Sequence, residues 1–296
     1  MRIAVAGGTG MIGGALTRAL RQRGDEVLVL TRGTPRQPGQ LHWDPDNRRI
    51  HRGMLGEVDV FANFAGAPIT RPWTPSYKEQ IRSSRLRATD FIARLAAEQP
   101  GSILVNQSVS GIYGPGRDGE VLTEGSQPGK GFLPRLALDW EAATAPAREA
   151  GNRVVLPRTG VVLAREALTS FPLVWLGRLG VATRLGSGHQ VWPWITLADE
   201  VSALIHLIDH DVHGPVNLAA PSVDTQLEIS RAINATMRGT WITVPAPGAL
   251  FQLVFGDFAD EIIGSHNVDP HVLYSTGFTF LHPNRDAMAS WLTASS

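Results

Sequence analysis

The first 160 residues alternate short apolar runs with longer stretches of helical periodicity. The runs that predict strands are residues 3–6, 26–30, 58–64, 102–107 and 153–156. Between them, residues 11–22 predict a helix that ends near Gly24, and residues 78–97 repeat apolar side chains at near-helical spacing. Strands that alternate with helices favour right-handed crossovers, so this pattern predicts an α/β domain with a doubly wound parallel sheet.

The second half of the chain is less regular, and Gly and Pro interrupt it often. Its apolar stretches at residues 171–176 and 249–255 have no obvious place in a sheet of six or seven strands. We therefore expect two domains. Residues 1–165 form the doubly wound domain, and residues 166–296 form a smaller C-terminal lobe that faces the substrate.

Composition narrows the class of protein. Of the 296 residues, 43% are hydrophobic and 18% are charged, which is typical of a globular protein with a full core. Lys plus Arg and Asp plus Glu both number 27, so we expect no nucleic-acid partner. The absence of Cys excludes disulfides, thiol catalysis and thiolate metal sites. No apolar run approaches the roughly 20 residues of a membrane span. The apolar run at residues 3–6 is too short for a signal peptide, so a cytoplasmic protein without membrane contact is expected.

A glycine-rich loop follows the first predicted strand and opens the first predicted helix. Its residues are Gly7-Gly8-Thr9-Gly10-Met11-Ile12-Gly13. Gly7 permits a tight turn, Gly10 lets the backbone approach a pyrophosphate, and Gly13 lets the helix pack near the strand. The backbone N–H groups of residues 9–12 then face the anion at the positive end of the helix dipole. The alternative is an ordinary turn, but three glycines in this context favour a dinucleotide-binding loop.

The end of the second predicted strand selects the cofactor. Sites for NAD usually place an Asp or Glu there to accept a hydrogen bond from the ribose 2′-OH. This chain has Thr31-Arg32-Gly33 instead. A guanidinium pairs with a 2′-phosphate and stacks on adenine, so NADP(H) is favoured. The alternative is that Arg32 is a solvated surface residue.

Two more motifs accompany the loop and Thr31-Arg32. They are Asn63-Phe64-Ala65-Gly66 and Ser108-Val109-Ser110-Gly111-Ile112-Tyr113-Gly114. Together, these motifs resemble those of the extended short-chain dehydrogenase/reductase superfamily. More specifically, nearly the whole chain is similar to an atypical epimerase-like family whose members end in a C-terminal domain of unknown function.

This resemblance implies a Rossmann fold with an embedded C-terminal lobe. The chain is then expected to return to the first domain near residues 190–220. The resemblance also implies that Phe64, Ala65 and Gly66 line the cofactor after the fourth strand. Without the family, a simple turn at the strand end explains these residues equally well.

Active members of the superfamily carry a Tyr-x-x-x-Lys pair on one face of a helix. The Tyr phenol exchanges a proton while hydride moves, and the Lys lowers the phenol pKa. In this chain Leu133 and Ala137 occupy these two positions, and no Tyr-x-x-x-Lys occurs anywhere. The helix Asn of the superfamily is replaced as well, by Arg85.

Substitutes for this pair are therefore needed. Ser108 or Ser110 is a candidate to hydrogen-bond a substrate carbonyl or hydroxyl group. Tyr113 is a candidate proton donor, with a packing role as the alternative. Arg85, like Arg82, is a candidate to bind an anionic substrate or the cofactor, with a solvated helix face as the alternative.

Two other clusters carry little chemistry. His206 and His210 have the i, i+4 spacing of a zinc site, but Leu207 stands where a metalloprotease needs Glu, so we expect no metal. The aromatic segment at residues 189–194 either flanks a substrate pocket or packs within the lobe.

Two functions follow from these observations. The first is an NADP(H)-dependent, epimerase-like oxidoreductase with a non-standard active site and an unknown small-molecule substrate. The second is a non-catalytic, redox-responsive NADP(H)-binding regulatory or scaffold protein. The sequence offers no clear oligomer interface, so no oligomeric state is predicted.

Overall fold

The computed structural model describes residues 1–115, 117, 119–165, 167, 170–246, 259 and 264–294. The predicted apolar stretch at residues 249–255 lies outside these residues. Within them, no helix is both long enough and apolar enough to cross a membrane.

A large twisted sheet forms the centre of the molecule. Its strands are β1 (Arg2–Ala6), β2 (Glu26–Thr31), β3 (Gln40–Asp44), β4 (Arg49–Ile50), β5 (Val60–Asn63), β6 (Ile103–Asn106), β7 (Ser108–Val109), β9 (Arg153–Thr159) and β14 (Gly214–Leu218). They run in the order β14-β9-β6-β5-β1-β2-β3-β4, and β7 also pairs with β9. Every pair is parallel except β3 with β4. The chain winds outward in both directions from β1, so the predicted doubly wound sheet is confirmed.

Helices on both faces of this sheet and in the second half of the chain complete the fold. They are α1 (Met11–Arg23), α2 (Arg52–Leu55), α3 (Pro75–Ala97), α4 (Phe132–Ala142), α5 (Ala145–Glu149), α6 (Phe171–Gly177), α7 (Leu197–Asp209), α8 (Gln226–Ala235), α9 (His271–Ser275) and α10 (Arg285–Thr293), with a 3-10 helix at Ser110–Tyr113. Alternate residues of β1 belong to different cores. Val5 packs in the cluster that includes Leu16 of α1 and Leu204 of α7. Ala6 packs in the cluster that includes Phe91 of α3. Both faces are therefore buried, as parallel sheets require.

The end of α1 and the start of α3 are set by identifiable capping residues. Helix α1 stops at Gly24, which has a left-handed φ of 98° and donates its N–H to Arg21 O and Leu20 O. Helix α3 begins three residues earlier than predicted. Thr74 caps it by accepting a hydrogen bond from Tyr77 N, and Pro75 occupies its first position, where a missing N–H costs nothing.

The second half builds a smaller assembly of short strand pairs. The pairs are β10 (Val161–Leu163) with β13 (Trp194–Thr196), β11 (Val181–Leu185) with β16 (Ile242–Ala246), β12 (Val191–Trp192) with β15 (Asp224–Thr225), and β8 (Val121–Leu122) with β17 (Asn267–Val268). The apolar stretch at residues 171–176, which had no place in the sheet, forms most of helix α6. Strand β14 lies in the main sheet, where Leu218 aligns with Thr159 of β9. The domain boundary at residue 165, with a return near residues 190–220, stays a prediction.

Candidate functional site

The glycine loop between β1 and α1 is folded tightly. Gly7 has a φ of +76°, and a Cβ atom there would lie 2.6 Å from the carbonyl group of Phe64. A Cβ atom on Gly13 would lie 2.5 Å from Gly7 O. Gly10 N donates to Gly7 O at 2.9 Å. Glycine at positions 7 and 13 is therefore required by backbone contacts, because any side chain there would force the loop apart.

The first turn of α1 leaves its backbone donors uncapped. Gly10 is the N-cap, no side chain accepts a hydrogen bond from the turn, and the turn contains no acidic residue. Thr9, Gly10 and Met11 are exposed. Apart from Gly10 N, which is bonded to Gly7 O, the N–H groups at this end are therefore open to an anion, and the helix dipole favours one.

Arg32 follows the neighbouring strand β2. Its guanidinium is exposed and has no hydrogen bond or ion pair with any residue in the described ranges. The backbone around it is held in place, because Thr31 Oγ1 accepts from Gly33 N at 3.3 Å and His42 Nδ1 lies 3.1 Å from Gly33 O. Since β1 and β2 are adjacent and parallel, Arg32 and the glycine loop lie at the same edge of the sheet.

On the other side of β1, buried polar groups shape the loop after β5. Asn63 is fully buried, accepts from Ala65 N at 3.2 Å and donates to Asn106 Oδ1 at 2.7 Å. Ala67 N donates to Ser84 Oγ of α3 at 3.0 Å. The segment from Phe64 to Gly66 is thus fixed against the glycine loop.

Arg85 lies directly beneath Gly66. It is only 9% exposed, which excludes the solvated helix face that the sequence left open. Its Nη1 donates to Ala67 O at 3.0 Å and Ile81 O at 3.3 Å, and its Cζ lies 5.0 Å from the ring centre of Trp140. No carboxylate within the described residues pairs with it. Burial lowers the pKa of this guanidinium to about 10, so it stays charged at neutral pH.

Ser108 and Tyr113 belong to a buried polar network between α4, β9 and β14. Ser108 Oγ donates to Glu141 Oε1 at 2.6 Å, and Arg158 binds Glu141 through two hydrogen bonds of 2.9 Å. Tyr113 OH donates to Asn217 Oδ1 at 2.7 Å and accepts from Arg158 Nη1 at 3.2 Å. Burial raises the pKa of Tyr113. These contacts favour the packing alternative for Tyr113.

Leu133 and Ala137 are both buried on α4. Leu133 packs with Trp73 and Ile81, and Ala137 packs beside Tyr113. Neither side chain can transfer a proton, so this helix face presents hydrocarbon where the superfamily presents its Tyr and Lys.

A further polar chain, not found from the sequence, crosses the carboxyl ends of β6 and β9. Gln107 Nε2 donates to Thr159 Oγ1 at 2.6 Å, and Thr159 Oγ1 donates to Glu200 Oε1 at 2.7 Å. Glu200 is fully buried, and burial raises its pKa to about 8. The sequence gives no signal for this burial, because an acidic residue in the first turn of a helix is ordinarily exposed.

The remaining candidate clusters take part in packing. The rings of His206 and His210 stack with centres 3.8 Å apart, and His206 Nε2 lies 2.8 Å from Thr276 Oγ1. Among the described residues, no group of three His, Asp or Glu side chains could hold a metal. Trp194 is buried in the lobe and donates to Asp224 Oδ2 at 3.0 Å, so this part of the aromatic segment packs within the lobe.

Comparison with known proteins places the chain in a family. Residues 3–219 match the model of the NAD dependent epimerase/dehydratase family. The chain belongs to that family. Residues 246–292 match DUF1731, a domain of unknown function, so the resemblance inferred from the motifs is confirmed for both parts of the chain.

Individual relatives cover almost the whole chain. An epimerase family protein of Mycobacterium leprae is 38% identical over 98% of this chain and 95% of its own length. The crystal structure of the human epimerase family protein SDR39U1 with NADPH is 31% identical, covers 99% of both chains and has a TM-score of 0.87. The structure of a nucleoside-diphosphate sugar epimerase from Corynebacterium glutamicum, also 31% identical, has a TM-score of 0.81 over 99% of this chain and 58% of that one. These structures confirm the Rossmann-like α/β fold.

Proposed function

We propose that this family member binds NADP(H) at the carboxyl edge of its sheet and acts as an epimerase-like oxidoreductase with a non-standard active site. The N–H groups of Thr9, Met11 and Ile12 hold the diphosphate, and Arg32 pairs with the 2′-phosphate, while Gly10 N stays bonded to Gly7 O. Phe64, Ala65 and Gly66 line the cofactor on the other side of β1. When bound, NADP(H) supplies a hydride donor or acceptor.

The observation that carries the proposal is the unpartnered guanidinium of Arg32 beside an uncapped helix N-terminus. The neighbouring strands β1 and β2 bring these two anion-binding features to one edge of the sheet, and the strand order reverses next to them, between β1 and β5. Arg32 cannot accept a hydrogen bond from a ribose 2′-OH, but it matches a phosphate. The human relative's structure with NADPH supports the same choice.

The chemical step needs groups other than a Tyr and Lys pair. Arg85 supplies a buried positive charge beside the loop at Gly66, which suits an anionic group of the substrate or cofactor. Ser108 and Tyr113 stay candidates for handling substrate polarity, although each must first give up its hydrogen bond to Glu141 or Asn217. The substrate itself is proposed to lie between this edge and the C-terminal lobe.

A second function is favoured by one specific observation. Leu133 and Ala137 present hydrocarbon on α4, and the nearby hydroxyl groups of Ser108 and Tyr113 are already bonded. A protein that binds NADP(H) without turnover, and responds to its redox state, needs no free proton donor there. Stoichiometric NADPH oxidation with any member of a carbonyl-substrate panel favours the enzyme, whereas binding without turnover across the panel favours this second function.

The cofactor assignment is tested by binding measurements on Arg32→Ala. We expect the Kd for NADPH to rise about 10- to 100-fold, since a charge-assisted pair is lost, while the Kd for NADH changes little. Isothermal titration calorimetry with both cofactors measures this. Arg148→Ala, which removes an exposed arginine on α5, is the control and should change neither value. Equal loss for both cofactors, or no loss for either, contradicts the role of Arg32.

A further inference from the structure

Glu200 is a buried acid without a charged partner. It lies in the first turn of α7, and its Oε1 accepts from Thr159 Oγ1 at 2.7 Å. Its Oε2 is fully buried and has no partner among the described residues, and the same is true of Gln107 Oε1. The hydrogen-bonded series Gln107–Thr159–Glu200 therefore has a buried oxygen atom at each end that no described residue hydrogen-bonds. Such atoms call for a functional explanation, because burying them costs free energy.

Gln107, Thr159 and Glu200 lie on the face of the sheet that α1 and α7 cover. Val155 packs in the same cluster as α1 and α7, and Thr159 points the same way because side chains alternate along β9. Val105 shares that cluster, and Gln107 follows it by two residues. The three side chains are thus on the side of α1, whose N-terminus is the proposed diphosphate site.

Strand order then identifies which half of a dinucleotide lies nearest. With the diphosphate at α1 and the 2′-phosphate at Arg32, the adenosine half lies over β2. The nicotinamide half would then extend the opposite way, toward β5 and β6. Strands are about 4.8 Å apart, so β6 is roughly 10 Å from β1. Gln107 and Thr159, at the ends of β6 and β9, would then lie near the nicotinamide half.

We propose that Glu200 makes this site sense the oxidation state of the bound dinucleotide. The oxidised nicotinamide ring carries a positive charge and binds with Glu200 ionised. The reduced ring is neutral and binds with Glu200 protonated, so binding of the oxidised form releases a proton. This inference rests on the proposed function, because it requires NADP(H) in the cleft.

No neighbouring charged group fixes the protonation state of Glu200, so that state can change when a positive charge binds nearby. Burial is the main cause that raises its pKa to about 8, and no charged group contributes to the shift. The ionisable groups on the elements packed around Glu200 have other partners. Asp199 pairs with His282, and His206 contacts Thr276. Arg158 pairs with Glu141 on the opposite face of β9, and Arg23 pairs with Asp209 at the far end of α7. The size of the effect depends on the separation of the two charges. For a unit positive charge at about 10 Å and an effective dielectric constant of about 20, an acid's pKa falls by about one unit, which is a tenfold change in relative affinity.

The test measures Kd for NADP⁺ and NADPH between pH 6.5 and 9. In the wild type we expect the affinity for NADP⁺ relative to NADPH to rise about sevenfold across this range, if the pKa of Glu200 falls by about one unit. In Glu200→Gln, which keeps the shape but cannot ionise, the ratio should stay constant. Asp209→Asn removes a carboxylate from the other end of α7 and should behave as the wild type. The 2′-phosphate is common to both cofactors, so its titration cancels in the ratio.

A second measurement needs no variant. Calorimetry of the wild type at pH 7.5 in buffers of different ionisation enthalpy counts the protons released on binding. NADP⁺ should release about half a proton more than NADPH if the pKa of Glu200 falls by about one unit. Equal proton counts, with a ratio that does not depend on pH, overturn the role of Glu200 and leave the proposed function standing. Failure of both cofactors to bind overturns the proposed function, and this inference with it.

Discussion

The two sides of the candidate site, one at α1 and β2 and the other at α4 and β9, satisfy their polar groups in opposite ways. On the α1–β2 side, the first-turn N–H groups have no side-chain cap and Arg32 has no partner in the described ranges. On the α4–β9 side, Ser108 and Tyr113 are bonded to Glu141 and Asn217 in a buried network. Groups without partners are ready for a ligand, whereas bonded groups must first break an existing contact. The difference indicates that one side is organised for binding and the other for holding the fold together.

The largest effect is expected in the buried network. Arg158→Met leaves the Glu141 carboxylate buried without a cation, and removing one partner of a buried ion pair costs about 3–5 kcal/mol of unfolding free energy. Urea unfolding measures the loss. Affinity for NADPH of the folded protein should change less than about twofold, because the network lies outside the proposed cofactor contacts.

A second ion pair to α4 provides a matched control. Arg82 pairs with Asp139, two residues before Glu141 on that helix, but the Arg82 and Asp139 side chains are 45% and 39% exposed. Arg82→Met should cost no more than about 1 kcal/mol, since exposed ion pairs contribute little. Similar costs for the Arg158 and Arg82 variants would mean that the network does not stabilise the fold, and the comparison between the two sides would fail.

Glu200 sharpens the comparison, because it is neither ion-paired nor open to solvent. Its pKa is about 8 in the folded chain against an ordinary value of 4.5, so the folded state holds a proton that the unfolded state has lost between these pH values. The stability that Glu200 contributes is therefore present below pH 4.5 and falls as pH rises, by about 1.4 kcal/mol per unit until pH 8.

Glu200→Gln lacks this dependence. Between pH 5 and pH 8 the wild type should lose about 3–4 kcal/mol relative to the variant, as measured by urea unfolding at each pH. Parallel pH profiles of the two proteins would show that Glu200 is ionised throughout, contrary to this account.

Substitutions at two adjacent glycines of α1 test the role of the α1–β2 side in binding. A Cβ atom at Gly13 would lie 2.5 Å from Gly7 O, whereas one at Gly14 would lie 3.4 Å from Gly8 O, an ordinary contact. Gly13→Ala should displace the loop and weaken NADPH binding about 10- to 100-fold, because overpacking costs about 1–3 kcal/mol. Gly14→Ala should leave the Kd nearly unchanged. Equal affinities for the two variants would remove the loop from the binding site.

The sequence predicted the features that local pattern determines. The strand, glycine loop and helix at residues 3–22 follow from apolar periodicity and turn chemistry, and the structure confirms that order. The short strands β3 and β4 were not predicted, because pairing with β2 and with each other defines them more than their own composition does. The start of α3 was misplaced because Thr74 and Pro75 were not taken as its cap.

The residues of the candidate site also fall into two groups: those that a local sequence pattern predicts and those that only the tertiary fold brings together. Arg32 was predicted as a cofactor contact because its position after a strand can be recognised within one segment. The burial of Arg85 beneath Gly66 depends on residues nearly twenty positions away, and the chain from Gln107 through Thr159 to Glu200 joins three distant segments. Such contacts arise only from the tertiary fold, and no periodicity in the sequence encodes them.

The central claim is that the α1–β2 side holds NADP(H). The most direct measurement is a crystal structure of the protein with NADPH. This account predicts that the guanidinium of Arg32 lies within hydrogen-bond distance of the 2′-phosphate and that the diphosphate accepts from the N–H groups of Met11 and Ile12. A 2′-phosphate bound away from Arg32, or a diphosphate away from the first turn of α1, would contradict it.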